Sequence, residues 1–486
     1  MTDAIHRLNT TQTGFDAQEK RELRRQLLGK ADVPQMRKWL SRIGYTPTDL
    51  NRLNVVHVAG TKGKGTTCAL VNSILTRYHA STGLPRKTGL YTSPHLVTVR
   101  ERIQINSQPI SEDLFTKYFF EVWDALEESA ARDGFDPLLL RPTYFRFLTL
   151  LSIHVFMREG VDVAVYEVGV GGENDSTNVF ESPAVTGVTT LGIDHVNVLG
   201  DTIGSIAWHK SGIFKEGCPA FTVDQVPEAM EVLEQRAVER GVRGFSRVGV
   251  CPALLRQNVD IRPGEEFQRK NASLAIALAH TVLGKLGVAT DPDQQSLPVE
   301  FVQGLESAVW RGRCEVLRSG QQHWHLDGAH TEASLEVASL WFGKISQERH
   351  RDTPRVLVFN QQSKRRDAVS LLRTIHQTLY DHFKMSFQYA LFCTNVTYKD
   401  NSYSPDLVDK STDPKTLQNL SLQRELADVW HDLSPETEVA ALPSIEGAVE
   451  YIKNINGGVG ESQVLVTGSL HLVGGAIAVL DGRVMI

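Results

Sequence analysis

The sequence predicts an α/β fold built on parallel sheets and divided into two units. Three observations carry this reading. Short β-rich runs alternate with helical segments along nearly the whole chain. A glycine-rich turn, GTKGKGT, joins the first of those runs to a helix of small residues. The alternation then restarts after Trp310-Arg311-Gly312-Arg313, which sets a boundary at about 308–314 and units of 1–310 and 311–486.

In the first unit the strand candidates are NVVHVAG (54–60), KTGLYTS (87–93), VDVAVYEVG (161–169), AVTGVTTLG (184–192) and PAFTV (219–223). Between them, TTCALVNSILTRYH (66–79) and YFRFLTLLSIHVFMREG (144–160) read as helices. The second of these is apolar over most of its circumference, so burial is expected. In the smaller, Rossmann-like second unit the strands are HWHLDGAH (323–330), PRVLVFN (354–360), YALFCTN (389–395) and SQVLVTGSL (462–470). The polar, proline-bearing segment 396–416 reads as an insertion loop. No internal repeat or low-complexity tract interrupts the pattern.

Composition narrows the function classes. With 486 residues, 41% hydrophobic and 22% charged, the chain is expected to be a soluble protein with an ample core. A formal charge of -6 gives no general attraction for nucleic acid. No apolar run approaches the roughly 20 residues that cross a bilayer. Five cysteines are scattered without a CxxC pair, the pattern of free thiols in a reducing compartment. The first twenty residues carry Asp3, Asp16 and Glu19 and lack a signal-type apolar core. A cytoplasmic monomer acting on small molecules is the expectation, with a mitochondrial isoform compatible with an alternative start.

The turn between the first strand and helix has a physical reading of its own. Gly60, Gly63 and Gly65 let the backbone of Thr61, Lys62 and Lys64 turn tightly and point N–H groups inward. Together with the helix N-terminus these donors make an anion cradle. Lys64 follows Gly63 as the charge for β/γ-phosphates, and Thr66 is the candidate hydroxyl near a metal. The spacing departs from GxxxxGK[ST]: Val58 stands five before Gly63, and Gly65 follows the lysine. Strand, GTKGKGT and helix in this order predict nucleotide binding.

GTKGKGT resembles the loop of ATP-dependent acid–amino-acid ligases, the group holding the muramyl (Mur) ligases and the folylpolyglutamate synthases. LYTSPHLVTVRERI (90–103), PTYFRFLTL (142–150), YEVGVGGENDSTN (166–178), TLGIDHVNVLGDT (190–202), IAWHKSGIFK (206–215), WRGRCE (310–315), LDGAH (326–330) and VTGSLHLVGG (466–475) resemble the folylpolyglutamate synthases, eukaryotic type. The resemblance implies a Mur ligase-like ATP-binding domain over 1–310 and a Mur ligase C-terminal-like domain over 311–486. It also implies ATP as substrate, Mg2+, and a monovalent cation such as K+. The implied reaction adds L-glutamate to the γ-carboxylate of a tetrahydrofolyl-polyglutamate through an acyl phosphate.

Joining a carboxylate to an amine at neutral pH requires activation, because the oxyanion is a poor leaving group. Phosphorylation by ATP supplies it, and the site then needs cations at the phosphates and a pocket aligning the amine. Glu167 ends the strand VDVAVYE, where parallel sheets present side chains to ligands; the resemblance implies that it coordinates magnesium. Ser93 in YTSPHL reads from residues alone as a turn, and by resemblance as a magnesium ligand. His195 in GIDHVN reads either as a strand-end histidine or, by resemblance, as a metal ligand with a catalytic role. His95 through Arg102 are implied to lie near the folate. Lys210 in AWHKSGIFK reads from the residues alone as a surface lysine or a phosphate contact. By resemblance it is the catalytic lysine whose neutral amine takes up carbon dioxide as a carbamate, here preceded by His209 where Gln is usual.

In the second unit the resemblance implies that Arg313, Asp327 and His330 contact ATP across the interdomain cleft, with Asn271 near the adenine. Arg311 competes with Arg313 for one role, and Arg313 is preferred. Ser469 is a candidate for the amino-acid donor or a turn cap. A dihydrofolate synthase, or a bifunctional enzyme, is the nearest alternative; bacterial bifunctional members tend to carry an acidic residue where Arg146 stands. A muramyl ligase lacks support in nucleotide-sugar motifs. From another class, a catalytically inactive nucleotide-binding regulatory module is opposed by the joint presence of Lys64, Glu167, His195, Lys210, Arg313 and Asp327.

Overall fold

In a computed structural model of the protein, the described residues are 1–12, 33–134, 141–290, 296–348, 353–363, 366–400, 405–407, 419–455 and 460–482. The chain forms two compact units. The first comprises Met1–Ser93 and Arg100–Val309, the second Pro94–Val99 and Trp310–Ile486.

The first unit holds an eight-stranded sheet. Its strands are β1 (Val56–Ala59), β2 (Thr88–Tyr91), β3 (Ile103–Ile105), β4 (Gln108–Pro109), β5 (Val163–Glu167), β6 (Val185–Val188), β7 (Pro219–Val223) and β8 (Gly244–Val248). Their order is β4-β3-β2-β5-β1-β6-β7-β8, parallel from β2 to β8 and antiparallel at the β3–β4 edge. Every residue of β1, β2, β5 and β6 is buried, as expected of strands covered on both faces. β1 lies between β5 and β6. Its chain leaves over β5 to reach β2, so the carboxyl end of β1 is a point where strand order reverses and ligands find a crevice.

The helix after β1 runs Lys64–Thr82, two residues earlier than its threonines suggest. Gly63, at φ +86°, is its N-cap, and Gly83, at φ +75°, ends it. The helix Tyr144–Glu159 buries Phe147 through Met157 without a break, as its apolar circumference predicts.

The second unit holds a six-stranded sheet of β9 (Glu315–Ser319), β10 (Gln322–Leu326), β11 (Arg355–Phe359), β12 (Tyr389–Cys393), β13 (Glu438–Leu442) and β14 (Ser462–Thr467). The order is β13-β12-β11-β14-β10-β9, antiparallel only at the β10–β9 hairpin. One face packs Trp341, Phe342, Leu372 and Trp430 against Leu357 and Phe359. The other packs Ile445, Val449, Leu472 and Ile477 against Val356, Val358 and Val464. At about 25 cal/mol per Å² of apolar surface, cores of this kind supply most of the drive to fold.

One segment departs from a contiguous division at 310/311. Pro94–Val99 groups with the second unit. Leu96 joins its core, and a Cβ on Gly474 would come within 1.9 Å of Leu96 O. His95 Nε2 lies 2.9 Å from Asp406 O, and Val99 N–H donates to Asp406 Oδ1 at 2.7 Å. Asp406 belongs to a short turn, Pro405–Leu407, inside the expected insertion loop. Residues 401–404 and 408–416 of that loop lie outside the described residues. Among the described residues no helix is long and apolar enough to cross a membrane. All five cysteines are free thiols.

Candidate active site

The phosphate loop leaves the carboxyl end of β1 and is pinned before it reaches the helix. Thr61 and Lys62 donate their N–H groups to Thr190 O at 3.0 and 3.1 Å. Thr61 Oγ1 also exchanges bonds with the backbone of Gly192, both at 3.1 Å. The expected cradle is therefore narrower than the whole GTKGKGT run. Its unspent backbone donors belong to the first helical turn at Lys64, Gly65 and Thr66, where no intrahelical acceptor exists. Asn271, buried on the helix Glu266–Lys285, stands against Gly63: a Cβ there would meet Asn271 Oδ1 at 2.2 Å.

Gly60 is equally constrained. Its φ is +146°, and an added Cβ would fall 1.8 Å from Thr189 Oγ1. Gly60→Ala is expected to destabilise the first unit by more than about 2 kcal/mol through strain and displacement of β6. ATP titration and thermal unfolding test this together; wild-type values in both would refute the packing.

Glu167 closes β5 opposite Val58 of β1 and is 6% exposed. Its Oε2 accepts the Ser93 N–H at 2.9 Å, so these two candidate oxygen ligands are brought together. His195 is placed differently. It caps the short helix Val196–Leu199 at φ +54°, its ring is 37% exposed, and Asp194 lies 4.0 Å from Nε2. Among the described residues no three His, Cys, Asp or Glu side chains gather as a metal site. Magnesium does not need such a cage, since it keeps waters and phosphate oxygens and takes one or two carboxylates from protein. A buried carboxylate beside a serine, next to a phosphate loop, fits that ion's preference for hard oxygen.

Lys210 ends the helix Ile203–Lys210 and is 3% exposed, so it is not a surface lysine. Its Nζ donates to Gly60 O at 2.7 Å, which ties it to the phosphate loop. Burial, and then the nearby Lys64 charge, pushes its pKa down to about 7. A substantial neutral fraction therefore exists at physiological pH, the form that carbamate chemistry requires.

The loop after Glu167 packs on the end of this helix. Gly171 adopts φ +75°, and a Cβ on Gly172 would meet His209 O at 2.6 Å and Lys210 O at 2.7 Å. Farther along, Asp175 accepts from Val170 N (2.9 Å), Thr177 N (2.9 Å) and Thr177 Oγ1 (2.6 Å). Because the Thr177 hydroxyl hydrogen goes to Asp175, His57 Nε2, 2.9 Å away, must donate to Thr177. Burial pushes the His57 pKa down to about 3, consistent with that neutral tautomer. Sequence reasoning missed Asp175, Thr177 and His57. The run NDSTN held the available signal, since Asp and Thr there bond to their own loop.

Arg102 is buried beneath Tyr144, its guanidinium 5.4 Å from the ring centroid, while His95 belongs to the second unit. The structure therefore does not hold these two substrate candidates in one unit. In the second unit, the Asp327 carboxylate accepts N–H groups of Cys314 and Ala329, both at 2.8 Å. Burial raises its pKa, and the Arg313 charge opposes that rise. A Cβ on Gly328 would lie 2.7 Å from Arg313 Nη1, so Arg313 covers the DGAH turn. His330 Nδ1 lies 2.8 Å from Gly328 O. Arg311 is spent elsewhere, on Glu315 at 3.2 Å and Asp481 at 3.1 Å. Ser469 caps the helix Leu470–Leu480, its Oγ accepting from Leu472 N at 3.1 Å.

Comparison with known proteins identifies the family. Residues 313–479 match the family described as Dihydrofolate synthetase, C-terminal domain. A folylpolyglutamate synthase of Neurospora crassa is 51% identical over 484 residues, covering 99% of this chain and 91% of that protein. One from Saccharomyces cerevisiae is 46% identical over 458 residues, covering 92% of this chain and 81% of its own. A folylpolyglutamate synthase solved with AMPPCP and folate superposes with a TM-score of 0.66 at 25% identity, covering 93% of this chain and 96% of its own. With half its residues identical across nearly its full length, the chain belongs to the folylpolyglutamate synthase family.

Proposed function

We propose that the protein is an ATP-dependent ligase that extends a reduced folate by one γ-linked L-glutamate per turnover, releasing ADP and phosphate. The observation that carries this reading is the joining of Lys210 Nζ to the Gly60 carbonyl, which sets a buried amine at the phosphate loop. The 51%-identical relative bears the name folylpolyglutamate synthase, and a solved relative is described with an ATP analogue and folate together.

In this reading Lys64 and the first-turn N–H groups hold the phosphates of ATP and stabilise charge as the terminal phosphoryl group passes to the folate carboxylate. Ser93 and Glu167, with His195 as the third candidate, would hold magnesium, which supplies positive charge against the phosphates. Lys210 lies beside Lys64, and its conversion to a carbamate would replace a repelling cation with an anion. Arg313, Asp327 and His330 form the second unit's contribution to ATP handling. A monovalent cation and a cytoplasmic setting belong to the same proposal.

The family match over 313–479 keeps dihydrofolate synthase as the second reading. A mass-resolved ligation assay with magnesium-ATP, L-glutamate and either tetrahydrofolate or dihydropteroate separates the two. The expected result is a ladder of single glutamate additions on tetrahydrofolate, with dihydropteroate inert. Product from dihydropteroate would move the protein to the second reading. ATP binding without any product would support the inactive regulatory module.

A further inference from the structure

Glu173 follows the GVGG turn and has no part in the roles assigned above. Its carboxylate accepts from Arg236 Nη2 at 2.6 Å and from Arg240 Nη2 at 2.5 Å. Arg236 is 7% exposed, while the Glu173 and Arg240 side chains keep 22% and 32% of their surface exposed, so the cluster is only partly screened by solvent and salt. The backbone of the same residue is engaged on the opposite side. Glu173 N–H donates to His209 O at 2.7 Å. Its own carbonyl accepts from Asn178 Nδ2 at 3.1 Å, and that amide also donates to Gly212 O at 3.0 Å.

Steric limits say how closely the two strands of chain meet. A Cβ on Gly212 would fall 2.3 Å from Glu173 Cα, and one on Gly172 would fall 2.7 Å from Lys210 O. The loop therefore lies in backbone contact with the turn that carries Lys210. The helix Ile203–Lys210 has only eight residues, and its last carbonyls need partners from outside. Glu173 N–H supplies one of them. Arg236 adds a second brace, its guanidinium 4.5 Å from the ring centroid of Trp208, two residues before Lys210.

We propose that Glu173, clamped by Arg236 and Arg240, is a positioning residue that fixes the backbone of His209 and Lys210. It thereby sets the line along which Lys210 Nζ reaches the phosphate loop. The helix Pro227–Glu239, otherwise remote from the chemistry, becomes a support for the reacting lysine. This inference rests on the reading of Lys210 as a residue of the reacting site.

The clean test is Glu173→Gln, which keeps volume and removes the charge that holds both arginines. Arg236 is a poorer handle, because it lines a cavity of about 350 Å³ and its removal would also change packing. In the purified full chain, kcat is expected to fall at least about tenfold through misplacement of Lys210, with ATP affinity within about threefold of wild type. Amide hydrogen exchange over 203–213 should accelerate by about tenfold or more, while the helix Lys64–Thr82 stays as protected as before. An unchanged kcat, or exchange and ATP affinity altered together across the whole first unit, would overturn the proposal. Should Glu173→Gln fail to fold, Arg240→Ala takes its place, since that side chain is partly exposed. It is expected to show the same pattern at smaller amplitude, and its absence would count equally against the clamp. Lys210→Ala run alongside separates the two layers of argument. Activity retained in that variant defeats the reading of Lys210 itself; activity lost there but normal in Glu173→Gln defeats only the positioning role.

Discussion

Replacing Lys64 by alanine is expected to cut kcat by about a thousandfold, near 4 kcal/mol of lost transition-state stabilisation. The lysine opens the helix Lys64–Thr82 directly after the left-handed Gly63, at the one place where β1 aims backbone donors and a cation together. Alanine is a good helix former, and the Thr67 N–H bond to Gly63 O at 2.8 Å does not involve the side chain. The fold should therefore survive, with a melting temperature within a few degrees of wild type. Steady-state kinetics read against thermal unfolding make the distinction. Turnover within tenfold of wild type in a folded variant would remove the phosphate-loop assignment. A secondary effect follows from charge. Lys64 helps to hold the Lys210 pKa down, so its loss should let that pKa rise and move the acid-side limb of the activity profile, where the neutral amine is lost, to higher pH.

Much of the first unit was legible because its signals are local. β1 is a run of apolar residues short enough to be a covered strand, and the glycines that follow permit one kind of turn. Glu167 was legible for the same reason: a carboxylate at the end of an apolar run is costly to leave unpartnered, and strand ends are where sheets meet ligands. The sequence favours Arg313 over Arg311, although both can meet an anion. The structure pairs Arg311 with Glu315 and with Asp481, the latter 170 residues away, partners that spacing does not show.

What was not legible depends on distant partners or on edges. β8, GFSRV, and β13, EVAAL, border their sheets and bury none of their residues fully; β8 shows no apolar run, and the four apolar residues of β13 are too short and alanine-rich a run to mark a strand. β9 and β10 form a hairpin around Gly320 at φ +61°, and the polar Gln321 and Gln322 hide its register. Pro94–Val99 carries apolar Leu96 and Val97, but apolarity does not say which of two cores will take them. The Glu173–Arg236 contact spans 63 positions and has no local trace at all. Its functional weight would come only from the packing of Gly172 and Gly212 at the lysine.

Lys210→Met is expected to be as damaging as the loss of Lys64, about a thousandfold in kcat, and Lys210→Arg equally so. Methionine fills the buried volume without an amine, and arginine places there a guanidinium that stays charged and forms no carbamate. If size alone mattered, methionine would be tolerated; if positive charge mattered, arginine would rescue. Failure of both isolates the amine itself. Stability carries an independent mark of the same burial. The folded-state pKa of about 7 lies below the ordinary 10.5, so between those values the unfolded chain binds the extra proton. Wild-type stability, measured relative to Lys210→Met by denaturant unfolding, must then rise with pH through that window and flatten above it. A difference independent of pH would mean that Lys210 keeps its proton in the folded protein. The neutral fraction available for carbamate formation would then be small, and the carbonyl of Gly60 would face a charged ammonium.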